Sequence, residues 1–248
     1  MPLSPGTSPA EPAGGAFAPT PWTVVLAARS DSATRRAALE RLCTLYWAPV
    51  YHYIRRRGKS PHDAEDLTQG FFAHVLESTL LERSDPARGR FRGYLVSALK
   101  GYLADEHERA SAQKRGATAT HLAWDSAEAE QRLAALGDTT LDPATAYEKS
   151  WALTLLGRAL TRLEGEQQGA TRVRAFAALK PFLTQPAAPG DYARLAATLG
   201  LTKAAIALAV HRLNQRYAEL VRLEVAETLA DPTEVKAELE HLLRALRG

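Results

Sequence analysis

Beyond Trp22 the apolar residues recur every three or four positions, and nowhere do they show the strict alternation of a half-buried strand. Leu39, Leu42, Tyr46 and Val50 mark a first helix, and Pro49 inside that run predicts a kink or a fresh helix start. Arg55-Arg56-Arg57-Gly58 closes it, with cations at the negative end of the helix dipole and glycine as the stop. Ser60-Pro61-His62-Asp63 opens the next helix: Ser60 caps, Pro61 fits the first turn, and Asp63 favours the positive end. That helix puts Ala64, Leu67, Phe71 and Val75 on one face and His62, Asp66, Gln69, Gly70, Ala73 and Glu77 on the other. A third helix is predicted from Phe91 to about Ala112. Its buried stripe is Phe91, Tyr94, Leu95, Ala98, Leu99 and Tyr102; Lys100 and His107 lie on the far side.

The periodicity fades over residues 116–147, where Gly, Thr, Ala and Asp mix; this stretch reads as a linker. Helical spacing resumes near Tyr147. Within it, Tyr192–Leu199, Gly200, the cap Thr202 and a long run from Lys203 to Arg222 spell a helix-turn-helix. Ile206, Val210, Leu213, Tyr217 and Leu220 give the long helix one buried seam. After Asp231-Pro232 a last amphipathic helix carries Val235, Leu239, Leu242, Leu243 and Leu246. It is expected to pack back on the C-terminal domain, with Glu234, Glu238 and Glu240 on its acidic side. Residues 1–21 hold six of the fourteen prolines and read as a disordered tail. The expected fold is all-α, with two helical domains joined by a linker. Its parts are a tail (1–21), a first helical domain (22–116), the linker (117–147), a helix-turn-helix domain (148–230) and the terminal helix (231–248).

Composition narrows the function by exclusion. Of 248 residues 46% are hydrophobic, enough for a sizeable core. No stretch approaches the roughly 20 apolar residues of a membrane-spanning helix, and the N-terminus lacks a secretory pattern. No membrane insertion and a cytoplasmic location are therefore expected. The single cysteine, Cys43, excludes an internal disulfide and any multi-cysteine zinc site. No phosphate loop, nucleophile elbow or apolar carboxylate pair is present, and His74 with Glu77 reads as an exposed pair. Neither an enzyme nor a cofactor is indicated. Net charge is only +3, but the window Arg88–Arg115 carries +4 and Asp191–Arg222 carries +3, leaving −4 for the rest. Two separated basic windows suit either a polyanion touched at two places or a pair of solvated helix faces.

Order and spacing then add a resemblance. Asp63-Ala64-Glu65-Asp66-Leu67-Thr68-Gln69, followed by Phe71-Phe72, resembles the DAEDLxQ helix of bacterial RNA polymerase sigma factors. The similarity is to the extracytoplasmic-function (ECF) group, which keeps regions two and four. Arg92-Gly93-Tyr94-Leu95 through Lys114-Arg115 resembles the aromatic-Leu helix that follows in that family, and Tyr192–Arg222 the closing helix-turn-helix. The resemblance implies a promoter-specificity subunit. It would bind core RNA polymerase through the β′ coiled coil and the β flap, and promoter DNA at minus-10 and minus-35 elements. An inhibitory anti-sigma protein is a further partner the family allows. Asp63, Asp66, Gln69, Gly70 and Ala73 would meet the polymerase, the two small residues letting another helix come close. Arg92, Tyr94, Lys100, His107, Arg109, Lys114 and Arg115 would meet the minus-10 strand, with Tyr94 or Tyr102 as a stacking surface or as core. Thr202, Lys203, Ala204, Ala207, Leu208, His211, Arg212 and Gln215 would face the minus-35 element.

Two departures from that family stand out. Ala204, Ala205, Ala207, Leu208 and Ala209 occupy places where members commonly carry small polar and basic side chains. Apolar groups can touch a thymine methyl but make none of the bidentate hydrogen bonds worth about 1–3 kcal/mol of base discrimination each. Gly70 stands where the family usually has Glu. Two other readings stay open: a stand-alone helix-turn-helix regulator, or a sigma-like helical interaction protein with degenerate promoter reading.

Overall fold

The computed structural model describes residues 32–78, 80–85, 90–112, 126–136 and 140–247, and among them every regular element is a helix. The expected tail and the expected onset of order at Trp22 lie outside these residues. In chain order the α-helices are α1 (Ser32–Arg56), α2 (Pro61–Glu77), the short α3 (Leu80–Arg83), α4 (Phe91–Ala112), α5 (Ser126–Ala135), α6 (Pro143–Gly165), α7 (Ala170–Leu179), α8 (Asp191–Leu199), α9 (Lys203–Ala226) and α10 (Val235–Arg247). Short 3₁₀ turns at Lys180–Leu183 and Pro232–Glu234 follow α7 and precede α10.

Helix α1 runs on through Pro49 instead of ending there. Proline removes one helical hydrogen bond and crowds the preceding turn, at a cost of about 3 kcal/mol. Around it, Tyr46, Trp47, Val50 and Tyr51 are all buried. Each of these large side chains gains about 1.5–3 kcal/mol on burial, so packing outweighs the break. The aromatic rings also set the neighbouring helices. Trp47 stacks on Phe72 of α2 with centroids 6.0 Å apart, and Tyr46 meets Phe91 of α4 edge-on at 5.6 Å.

One apolar core joins α1, α2, α4 and α5 to the N-terminal half of α6, through Tyr147, Trp151 and Leu155. The end of α9 (Val225) and α10 (Leu242) close over the same core. Farther along α6, Ala159 and Leu163 meet Phe176 of α7 and Leu220 of α9. A third cluster seats Leu179, Ile206 and Val210 beside α8. A single helix, α6, therefore contributes to both the first and second cores, and packing runs across position 147/148. Within the segment read as a linker, Ser126–Ala135 is helical, with Ala129 buried. Alanine gives no amphipathic contrast, which is why the periodicity was silent there. α10 packs on α6 and α9, and Glu238, placed on its acidic side, is fully buried.

Candidate nucleic-acid interface

Helix α2 begins as its start signal implies. The Ser60 hydroxyl accepts from the Asp63 N–H at 3.1 Å, and Pro61 occupies the first turn. Ala64, Phe71 and Val75 are buried, which turns His62, Asp63 and Asp66 outward. Asp66 lies 3.8 Å from His62, both well exposed, a pairing too solvated to matter much to stability. Asp63 and Asp66 thus form an open acidic edge.

Gln69, Gly70 and Ala73 differ from that picture. Gln69 is 5% exposed, with its Nε2 3.5 Å from Glu65 and its Oε1 buried without a hydrogen-bond partner, so it does not sit on the outer face. Gly70 and Ala73 are half-buried. The close approach that Gly70 permits is internal: a Cβ there would run into the hydroxyl of Tyr102 from α4. Tyr102 in turn packs its ring against Phe71 and His74, at 5.6 Å from each. The Tyr102 seat by itself calls for a residue without a Cβ at this position.

Helix α4 divides along its length. Phe91, Leu95 and Leu99 are buried; Tyr94 and Tyr102 are half-buried, and the Tyr94 hydroxyl donates to the Leu80 carbonyl at 2.6 Å. Both tyrosines are held by contacts within the protein. Arg92 is the clear correction. It was expected to face a DNA strand and is instead 4% exposed. Its Nε donates to Glu148 of α6 at 2.9 Å, its Nη1 to Glu238 of α10, and its guanidinium lies 4.7 Å from the Trp151 ring centroid. Arg90 Nη1 lies 2.7 Å from the second Glu238 oxygen, close enough for charge pairing though not aligned as a hydrogen bond. His241 Nε2 is 3.1 Å from Glu148. A buried carboxylate is tolerable only when paired in this way, and the cluster fastens α10 across α4 and α6.

Past Leu99 the same helix is open. Lys100, His107 and Arg109 are exposed, and Arg109 makes an i,i+3 contact with Glu106 at 2.5 Å. Lys114 and Arg115 lie outside the described residues. Between this end of α4 and the C-terminus of α1 is a cavity of about 360 Å³.

Helices α8 and α9 meet at 101° across Gly200, whose φ of 66° suits a residue without a Cβ. Thr202 caps α9 by accepting from the Ala205 N–H at 3.1 Å. Ile206, Val210 and Leu220 are buried, while Lys203, Ala204, Leu208, His211, Arg212 and Gln215 are exposed and Ala207 half-exposed. All the residues singled out here fall on one side of the helix, and that side is apolar at its centre: Leu208 is 48% exposed and nearby Leu201 49%. Among the described residues no single helix is long and apolar enough to cross a membrane.

One other arrangement invites a chemical reading. His52 is buried, with Nε2 2.8 Å from the Ala129 carbonyl and Nδ1 2.8 Å from the Ser150 hydroxyl. A carbonyl only accepts, so Nε2 carries the proton and Ser150 donates to Nδ1. The pair borders a cavity of about 510 Å³. Burial pushes the imidazole down to about 4, against the bond to Ala129 and the nearby Glu130 charge. Such a ring is too weak a base to activate a serine near neutrality. It serves as a buried tie between α1, α5 and α6.

With this geometry in place, one comparison bears on function. Residues 43–113 match the family model for sigma-70 region 2. The likeness to the sigma-70 family is carried by this region. The match spans α1 from Cys43, all of α2 and α3, and α4, so the acidic edge and the open end of α4 both lie inside it. It covers less than a third of the chain. No curated protein and no solved structure matches. Region 2 belongs to a non-enzymatic class of transcription-initiation factor, and it implies core RNA polymerase and promoter DNA as partners.

Sequence reasoning missed the residues that hold Arg92. Glu148, Glu238 and His241 come from two helices far along the chain, and nothing in local spacing pairs them with α4.

Proposed function

We propose that this protein is an ECF-type sigma factor that joins core RNA polymerase and directs it to a subset of promoters, with the β′ coiled coil meeting Asp63 and Asp66. In this reading Lys100, His107 and Arg109 receive the opened minus-10 strand, with Lys114 and Arg115 continuing that basic run. The Lys203–Gln215 face of α9 lies toward the upstream element, and the β flap and an inhibitory anti-sigma protein are further partners. The observation that carries the reading is the region 2 match, over a unit that exposes Asp63 and Asp66 on α2 and Lys100, His107 and Arg109 on α4.

Energetics favour a polymerase partner over solitary action. Opening about ten base-pair steps at a mean of about 1.4 kcal/mol each costs on the order of 14 kcal/mol. The few cations exposed on α4 cannot supply that, whereas an enzyme gripping DNA on both sides can. Run-off transcription with core polymerase tests the assignment. Asp66→Ala should lose polymerase binding, and Lys100→Ala/Arg109→Ala should bind polymerase but open promoters poorly. Equal initiation by both variants and wild type would remove these roles.

A second reading has one observation in its favour. Exposed Leu208 on the upstream face, with Leu201 exposed in the turn before it, suits a sigma-like protein whose minus-35 reading is weak. Transcription that is indifferent to the minus-35 sequence would support it.

A further inference from the structure

Beside the His52–Ser150 tie, α1, α5 and α6 border a cavity of about 510 Å³. That volume falls in the roughly 300–1,000 Å³ range of small-ligand sites. Four hydroxyls line it, and each spends its proton on the protein. Thr44 donates to the Glu40 carbonyl at 2.8 Å, Thr154 to the Ser150 carbonyl at 3.0 Å and Thr161 to the Gly157 carbonyl at 3.1 Å, while Ser150 donates to His52. A hydroxyl that donates inward turns only oxygen lone pairs to a guest, so all four act as acceptors. The donors are the guanidiniums of Arg132 on α5 and Arg158 on α6, and no Asp or Glu is in the lining. Arg158 belongs to a cluster in which three arginines, with Arg41 and Arg162, share the two carboxylates of Glu224 and Glu227. One positive charge is therefore left over beside the cavity.

Gly157 keeps this space open. It lies inside α6 without a positive φ, and a Cβ there would meet nothing within 4 Å. Neither backbone nor packing calls for glycine, which weakens a helix interior relative to alanine. What the missing side chain leaves is room in the cavity that Gly157 lines.

We infer that this cavity binds a small polyhydroxylated anion of the sugar-phosphate class. The phosphate lies against Arg132 and Arg158, sugar hydroxyls donate to the oxygens of Ser150 and the three threonines, and the ring covers Leu153 and Leu160. An inorganic anion would leave the hydroxyl oxygens without donors, and a cationic guest would face two guanidiniums. The site stands apart from the residues assigned above to polymerase and DNA. A guest there bridges α1, within the region 2 match, to α6, which leads on toward α8 and α9.

Isothermal titration calorimetry on the full chain alone tests this. Glucose 6-phosphate and ribose 5-phosphate are the probes; glucose and inorganic phosphate are the controls. At least one phosphosugar should bind with a Kd in the micromolar to millimolar range, and each control at least about tenfold more weakly. Gly157→Leu fills the cavity and favours the helix, so it should abolish binding without lowering the urea midpoint. Arg132→Ala should weaken phosphosugar binding about tenfold or more, the loss of a charge-assisted contact. Thr154→Val/Thr161→Val removes two acceptors at constant shape. It should weaken phosphosugar binding and leave that of inorganic phosphate unchanged. No heat from either phosphosugar overturns the site, as does wild-type affinity in Gly157→Leu or in Arg132→Ala. Glucose or inorganic phosphate binding as tightly as the phosphosugars overturns the assigned ligand class.

Discussion

At the start of α4, Arg90 and Arg92 turn toward the protein and are held by Glu238 and Glu148; near its end, Lys100 and His107 point to solvent with no ion-pair partner among the described residues. The residue types are similar and the helix is the same, yet one end is structural and the other is available to a ligand. The difference lies in what the rest of the chain brings near. α6 and α10 carry their acids to the first turn of α4, and among the described residues no ion pair joins either of them to its last turns. A basic window in a sequence is therefore a sum over two kinds of charge, and only the unneutralised kind can bind a polyanion.

Breaking the buried end should have the largest effect. Arg92→Ala leaves Glu238 and Glu148 with fewer partners, and Glu238→Ala leaves two arginines facing each other. Each should cost about 3–5 kcal/mol in urea unfolding, the usual penalty for stranding a buried charge. Replacing Arg92 and Glu238 together with Met and Leu should cost much less than the two single losses combined, which distinguishes stranded charge from lost packing.

Acid should come next. His52 stays neutral in the folded protein down to about pH 4, while the unfolded chain takes up that proton near 6.5. Between those values the unfolded state binds more protons, so stability falls as pH falls, by about 3 kcal/mol in total. His52→Gln should flatten that limb of the stability–pH curve, whatever it does to stability at neutral pH. Gly70→Ala sits lower on the scale: its added Cβ meets the Tyr102 hydroxyl, and overpacking of this kind costs about 1–3 kcal/mol. At the open end, Lys100→Ala and His107→Ala should change unfolding free energy by less than about 0.5 kcal/mol. Their effect belongs in DNA affinity, which a salt series on the holoenzyme would reveal.

The helices themselves were legible because their signals are local. Ser60, Pro61 and Asp63 mark the start of α2, Thr202 and Gly200 mark the α8–α9 corner, and the Phe91–Leu95–Leu99 stripe gives α4 its inner face. Of the two outcomes Pro49 allowed, a kink or a fresh start, the helix does not restart there: the local penalty is smaller than the packing of four large side chains around it. The fate of Arg92 was not legible, since its partners lie 56 and 146 positions away. The closeness of Tyr102 to Gly70 was not legible for a similar reason, since Tyr102 comes from another element. Local pattern locates a polar residue on a helix; only tertiary packing says whether it is spent.

The account stands or falls on whether this chain engages the transcription machinery. Size-exclusion chromatography of the purified full chain with core bacterial RNA polymerase addresses it directly. Wild type is expected to co-elute with the polymerase as a stoichiometric complex, and Asp66→Ala to elute free while remaining folded. A wild-type chain that elutes entirely apart from the polymerase would contradict the account.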